Sequence, residues 1–117
     1  MKKAIPVFEI PDYNGAAVYS LVDENGKRYI GSTYNLQQRL NAHAVEFRKV
    51  MRAEQTTFMG GKLMEAIKDG RRFRCEILAP LPDDISKVHM RQIERACFLA
   101  AGGLDGTYNS SVVKIGK

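Results

Sequence analysis

Short apolar runs, turn residues and helical stripes succeed one another along the chain. Ala16-Ala17-Val18-Tyr19-Ser20-Leu21-Val22 is a nearly continuous apolar run of strand length and reads as a buried strand. Asp23-Glu24-Asn25-Gly26 is a turn, and Lys27-Arg28-Tyr29-Ile30-Gly31 is a second strand, so the pair predicts a β-hairpin. Leu36, Leu40, Ala44, Phe47 and Met51 then recur at spacings of three and four, which makes one apolar helical stripe, with Asn35 placed to cap it. Arg39 and His43, four apart, lie beside each other at the edge of that stripe. The helix is expected to fray near Arg52, and Ala53 to Gly61 to be a loop. Lys62 to Lys68 is a short helix with Leu63, Ala66 and Ile67 inward, closed by Gly70. Phe73-Arg74-Cys75-Glu76-Ile77 alternates and is a third strand, ended by Pro80 and Pro82. Asp83 or Asp84 is expected to cap a third helix that runs to about Ala101 and stops at Gly102-Gly103. The remainder, Leu104 to Lys117, holds turn signals and the short apolar run Val112-Val113. Residues 1–15, broken by Pro6 and Pro11 and ended by Asn14-Gly15, read as an N-terminal arm, and 16–117 as one domain. The order β-β-α-α-β-α predicts an α+β fold, a small three-stranded antiparallel sheet flanked by helices.

Two registers are open to the hairpin. A two-residue Asn25-Gly26 loop pairs Val22 with Tyr29 and sends Tyr19 and Tyr29 to opposite faces. A three-residue Glu24-Asn25-Gly26 loop, with a left-handed Gly26 as a bulge, pairs Asp23 with Lys27 and Leu21 with Tyr29. The two tyrosines then share a face.

Composition narrows the class. The chain has 117 residues, 44% apolar and 26% charged, which is ordinary globular usage and argues against disorder. No apolar run reaches the length needed to span a bilayer, and Met1-Lys2-Lys3 is followed by no apolar block of a secretory signal, so no membrane role and a cytoplasmic location are expected. Cys75 and Cys97 form no C-x-x-C and are expected to be small buried hydrophobes. The formal charge is +5, and its placement says more than its size. Leu36 to Cys75 holds nine bases against four acids and so carries the whole excess. A basic middle suggests a phosphate-facing surface, although any single charge run is more often a solvated helix face.

Each candidate for chemistry has a plain structural alternative. Glu94 has Met90, Cys97 and Phe98 as helix neighbours, and a carboxylate on an apolar face is costly unless it is paired or bound to a metal. Its structural alternative is a pair with Arg91 or Arg95. Arg39 is either a surface arginine or a clamp for phosphate charge. His43 is either packed or a proton shuttle. Tyr19 and Tyr29 are ordinary strand residues or, with a cation nearby, acid–base groups. Asn109, in Gly106-Thr107-Tyr108-Asn109, is a turn residue or one that orients another polar side chain.

Their joint order is more specific than any one of them. Ala17-Val18-Tyr19, then Tyr29-Ile30-Gly31 leading through Ser32-Thr33-Tyr34-Asn35-Leu36 to Arg39 and His43, then a late Glu94 and Asn109, resembles the GIY-YIG nuclease family, in particular the catalytic domain of phage-type homing endonucleases. The chain departs from the motif at Ala17-Val18-Tyr19, where the family has Gly-Ile-Tyr. Only Ser20 to Arg28 separate its two tyrosines, a short spacing for the family. The resemblance implies the GIY-YIG fold and a metal-dependent endonuclease that hydrolyses phosphodiester bonds in DNA. Tyr19 would assist the attacking water and Tyr29 line the site. Arg39 would stabilise charge on the phosphate or leaving group. Glu94 would hold one divalent ion, Mg2+ or Mn2+, while His43 and Asn109 match further active-site positions. The physics agrees: one carboxylate suits magnesium, which keeps several of its waters. Convergence of these groups requires Tyr19 and Tyr29 on one face, and therefore the three-residue loop.

The competing class is a non-catalytic nucleic-acid-binding module on the same fold, and a third is a structural or protein-interaction domain. DNA contacts are expected from Lys27, Arg28, Arg48, Lys49, Arg71 and Arg72. The substrate is double-stranded or branched DNA, with RNA open as an alternative. With the motifs spread over nearly the whole chain, specificity is expected from the basic middle, the loop after Arg52, the arm, a homodimer or a targeting partner.

Overall fold

The computed structural model describes residues 9–51, 61–110 and 112–113. Three strands form one antiparallel sheet in the order β2-β1-β3, with β1 spanning Ala17–Asp23, β2 Arg28–Thr33 and β3 Phe73–Pro80. The three helices expected are α1 at Leu36–Met51, α2 at Gly61–Lys68 and α3 at Lys87–Ala100, and a single turn, α4 at Gly103–Gly106, follows them. The fold is α+β, as expected.

The hairpin adopts the three-residue loop. Leu21 pairs with Tyr29 and Val22 with Arg28. Asp23 N–H donates to Lys27 O at 3.0 Å, and Gly26 N–H to Asp23 O at 3.1 Å. Gly26 has φ +90°, a conformation that costs glycine little because it has no Cβ. Asp23 seals the turn from inside, its Oδ1 accepting from Asn25 N at 2.8 Å and Lys27 N at 2.9 Å.

Side chains alternate across a sheet, so this register sorts β1 into two layers. Ala17, Tyr19 and Leu21 face α1 and α2, where Leu36, Leu40, Ala44, Phe47, Val50, Leu63, Ala66 and Ile67 complete one core. Val18 and Ile30 face α3, where Met90 and Phe98 join Ala16, Leu81 and Val113 in a second. The central strand is buried along its entire length. Cys75 packs on the first layer and Cys97 on the second, both partly buried and unbridged, so they serve the two layers separately. Burial pushes the Cys75 thiol up to about 11, which leaves it protonated and inert.

The local signals hold in three places. Asn35 caps α1, its Oδ1 accepting from Gln38 N at 3.0 Å. Leu63, Ala66 and Ile67 are the buried residues of α2. Bonds from Gly70 N to Ile67 O (3.0 Å) and from Arg71 N to Ala66 O (3.1 Å) close that helix in a Schellman arrangement. Elsewhere the structure corrects the expectation. Neither Asp83 nor Asp84 caps α3: Ile85 N–H returns to Pro82 O in a turn, and Ser86 caps instead, its Oγ accepting from His89 N at 3.1 Å. The expected loop after Arg52 and the Met51 side chain lie outside the described residues, and Gly61 opens α2 rather than ending a loop. Of the arm, residues 9–15 are described: Ile10 and Tyr13 pack on the first core, and Gly15 O accepts from Leu36 N at 3.0 Å.

β2 is an edge strand, and the segment after α4 covers it. Thr107 bridges Arg28 in parallel, and Tyr108 N–H donates to Arg28 O at 2.8 Å. Two residues further along the strand, the Asn109 amide does the work of a backbone: its Oδ1 accepts from Ile30 N and its Nδ2 donates to Ile30 O, both at 2.9 Å. A sealed edge protects the strand from pairing with another chain.

Candidate active site

Tyr19 projects from the middle of β1 towards α1 and is fully buried. Its hydroxyl lies 2.8 Å from His43 Nε2. The His43 ring stands edge-on to both phenols, with centroids 5.9 Å from Tyr19 and 5.6 Å from Tyr29. His43 was expected at the margin of the α1 stripe; it lies inside it, 1% exposed, because the two tyrosines offer it an aromatic slot on the sheet. Arg39, one turn earlier and half-buried, hydrogen-bonds both phenols. The shared face is what brings these four groups together.

The second motif's glycine has a packing reason. Gly31 pairs directly with Tyr19, and a Cβ on it would lie 2.6 Å from the Tyr19 hydroxyl and 2.7 Å from Cζ. The ring crosses that strand position where no side chain fits. Ala17, which stands where the family motif has glycine, is accommodated: it is buried in the first core.

Electrostatics assign protonation states. Burial pushes the Tyr19 phenol above its ordinary range, the Tyr29 charge adds to this, and Arg39 opposes it. Tyr29 is raised as well, by burial against the pull of Arg39. Burial and the Arg39 charge push His43 down to about 3, so at neutral pH it is an uncharged imidazole. Burial alone would depress Arg39, but its contacts with the two phenols outweigh that and raise it.

Glu94 comes from the other layer. It sits on α3, buried, and reaches the rim of β2, where Ser32 Oγ–H donates to its Oε1. Arg91 Nη1 lies 3.7 Å from the same oxygen, so the expected pairing with Arg91 is present. The charge of Glu94 is felt at both phenols, raising their pKa. Among the described residues no group of three or more His, Cys, Asp or Glu could hold a metal ion. The donor set at Glu94 nevertheless fits a hard divalent cation of the magnesium type. Both described contacts fall on Oε1, so Oε2 would be the oxygen to meet such a cation, whose remaining positions waters would fill.

Other expected residues take different places. Asn109 is held on the Ile30 backbone between Tyr29 and Gly31, so its amide braces the strand that carries them. Arg28, expected among the DNA contacts, is engaged within the sheet. Alternation turns it to the face opposite the tyrosines, where Nη1 donates to Ser20 Oγ at 2.7 Å and Glu76 Oε1 at 2.8 Å. Glu76 also accepts from Arg74 at 2.8 Å, and the two arginines hold its carboxyl below the usual range. Lys27 is exposed, with Nζ 4.7 Å from the centre of the Tyr108 ring. Arg48, Arg71 and Arg72 are exposed, and Lys49 pairs with Glu46 at 3.6 Å. Sequence reasoning missed Ser32 and the bond from Tyr108 Oη to Asp23 Oδ2 (2.5 Å). Ser32 could have been found from alternation, which places it with Ile30 on the face turned to α3.

The fold and this cluster of phenols, imidazole, guanidinium and carboxylate define a small α+β catalytic domain. A family model described as the GIY-YIG catalytic domain matches residues 15–78, more than half of the chain, and the protein belongs to that family. Two solved structures share the fold. The catalytic domain of intron endonuclease I-TevI, in a glutamate-to-alanine mutant, is 20% identical with a TM-score of 0.67, covering 86% of this chain and 98% of that one. The catalytic domain of homing endonuclease I-TevI is also 20% identical, with a TM-score of 0.65 and coverages of 82% and 98%. No curated protein sequence matches the chain. No described helix is long and apolar enough to cross a membrane.

Proposed function

We propose that the protein is a metal-dependent DNA endonuclease in which Tyr19 and His43 relay a proton from the attacking water. The observation that carries the reading is the 2.8 Å contact between the buried Tyr19 hydroxyl and a neutral His43 Nε2, with Arg39 bonded to the same phenol. A buried phenolate is unfavourable, so Tyr19 serves as a base only if its own proton leaves as it accepts one. His43 Nε2 is in place to receive that proton. Burial is the larger cause that keeps the imidazole neutral and the Arg39 charge the smaller, and a phosphate engaged by Arg39 screens only the second. Substrate binding thereby eases proton acceptance by His43 in part. Arg39 also offers fixed positive charge where the phosphoryl oxygens gain negative charge. Glu94 would hold the divalent ion through Oε2, and that ion, Mg2+ or Mn2+, supplies Lewis acidity to the phosphoryl group and charge relief for the leaving alkoxide. Asn109 acts as a positioning residue through Ile30. Lys27, Arg48, Lys49, Arg71 and Arg72 supply phosphate contacts on the DNA, and Arg28 is structural.

The test is nicking of supercoiled plasmid with Mg2+, with and without EDTA, beside Glu94→Ala and Tyr19→Phe. The expected result is nicking by the wild type, abolished by EDTA and by either substitution. Plasmid left intact by the wild type, together with salt-sensitive retardation of DNA in gels, would instead identify a binding module.

A further inference from the structure

The face of β2 turned to α3 holds a side-chain contact that links Glu94 to the tyrosine-bearing hairpin. Ser32 follows directly after Gly31, and its hydroxyl donates to Glu94 Oε1 across the gap between strand and helix. A serine hydroxyl is a single donor on a short arm, so the bond sets the carboxylate's rotation as well as its position. Arg91 approaches the same oxygen from the next turn of α3. We infer that Ser32 is a positioning residue for the divalent-cation site, occupying Oε1 of Glu94 so that Oε2 is presented to the ion. The inference rests on the reading of Glu94 as the cation ligand.

Two consequences follow from that geometry. The hydroxyl, and not the volume of the side chain, is what the site requires at this position. The coupling also has a direction: Ser32 lies on the motif strand, so cation affinity reports on whether the hairpin and α3 are in register with each other. Hydrogen-bond partners of metal ligands commonly change affinity by about 10- to 100-fold when removed, which sets the expected size of the effect.

The probe is Mn2+ alone, titrated into the full chain and followed by loss of the electron paramagnetic resonance signal of the free ion, so the readout is independent of cleavage. Ser32→Thr and Ser32→Val have the same shape, suit a strand equally and differ only in the hydroxyl. The expected result is wild-type affinity in Ser32→Thr, affinity at least about tenfold weaker in Ser32→Val and Ser32→Ala, and a larger loss in Glu94→Ala. Equal affinity in Ser32→Thr and Ser32→Val, with Glu94→Ala impaired, overturns the role of Ser32 while leaving Glu94 as the ligand. Wild-type affinity in Glu94→Ala, or no Mn2+ bound by the wild type, overturns the reading of Glu94 and the inference with it.

Discussion

Acidification from pH 8 to pH 5 should destabilise this protein through His43, and replacing His43 should remove the effect. The unfolded chain binds a proton on this side chain near pH 6.5, whereas the folded protein holds it neutral down to about 3. Between those values the unfolded state binds the extra proton, so stability is full above pH 6.5 and falls as the pH drops. For these two pKa values the loss at pH 5 is about 2 kcal/mol. At typical unfolding entropies per residue this lowers the melting temperature by about 8 °C for a chain of this length. Asp23, Glu24 and Glu76, whose carboxyls are held below their usual values, add their own loss of stability chiefly at lower pH. Burial opposes the lowering at Asp23, and hydrogen bonds from Tyr108, Lys27 and Asn25 override it. The assay is thermal unfolding by circular dichroism at pH 8, 6.5, 5.5 and 5 for the wild type and His43→Gln. Glutamine keeps a polar group beside Tyr19 and cannot ionise. The quantity compared is the slope with pH, so any general cost of the substitution drops out. A wild-type melting temperature that stays level to pH 5, or an equal decline in His43→Gln, would refute the argument that burial and Arg39 keep this ring uncharged.

Three further outcomes test other parts of the structure. Gly31→Ala should drive a Cβ into the buried Tyr19 ring and cost about 1–3 kcal/mol; a melting curve unchanged from wild type would show that the ring can move aside. Asn109→Ala leaves the N–H and C=O of Ile30 without their partners and should cost about 2 kcal/mol, read by denaturant titration. In gel-shift titrations with salt, Arg71→Ala should flatten the slope of log affinity against log salt by about 0.9, the value of one lost phosphate contact, whereas Arg28→Ala should leave it unchanged. A flattened slope in Arg28→Ala would mean that its bonds to Ser20 and Glu76 open when DNA binds.

The legible parts of the fold were those in which a local signal decides the structure. The Asn35 cap, the inward triplet Leu63, Ala66 and Ile67 and the closure after Gly70 depend on residues within one or two turns of each other. The hairpin register was legible only with a chemical argument added: sequence allowed two loops, and the need for Tyr19 and Tyr29 to converge selected the one observed. The α3 cap was misplaced because two aspartates and a serine were all competent, and the turn from Pro82 to Ile85 favoured the later residue.

By itself the sequence determined the order of the elements, the α+β class and the identity of the residues that could do chemistry, since periodicity, turn residues and motif spacing are properties of neighbours along the chain. Tertiary structure alone decided what those residues touch. It took His43 from the edge of a stripe into a slot between two tyrosines, and it turned Arg28 away from the site onto Ser20 and Glu76. It used the Asn109 amide as a piece of strand and brought Ser32 to Glu94 across 62 positions of chain. Protonation states and hydrogen-bond partners depend on burial and on distances between residues far apart in sequence, and these exist only once the two layers have closed on the sheet.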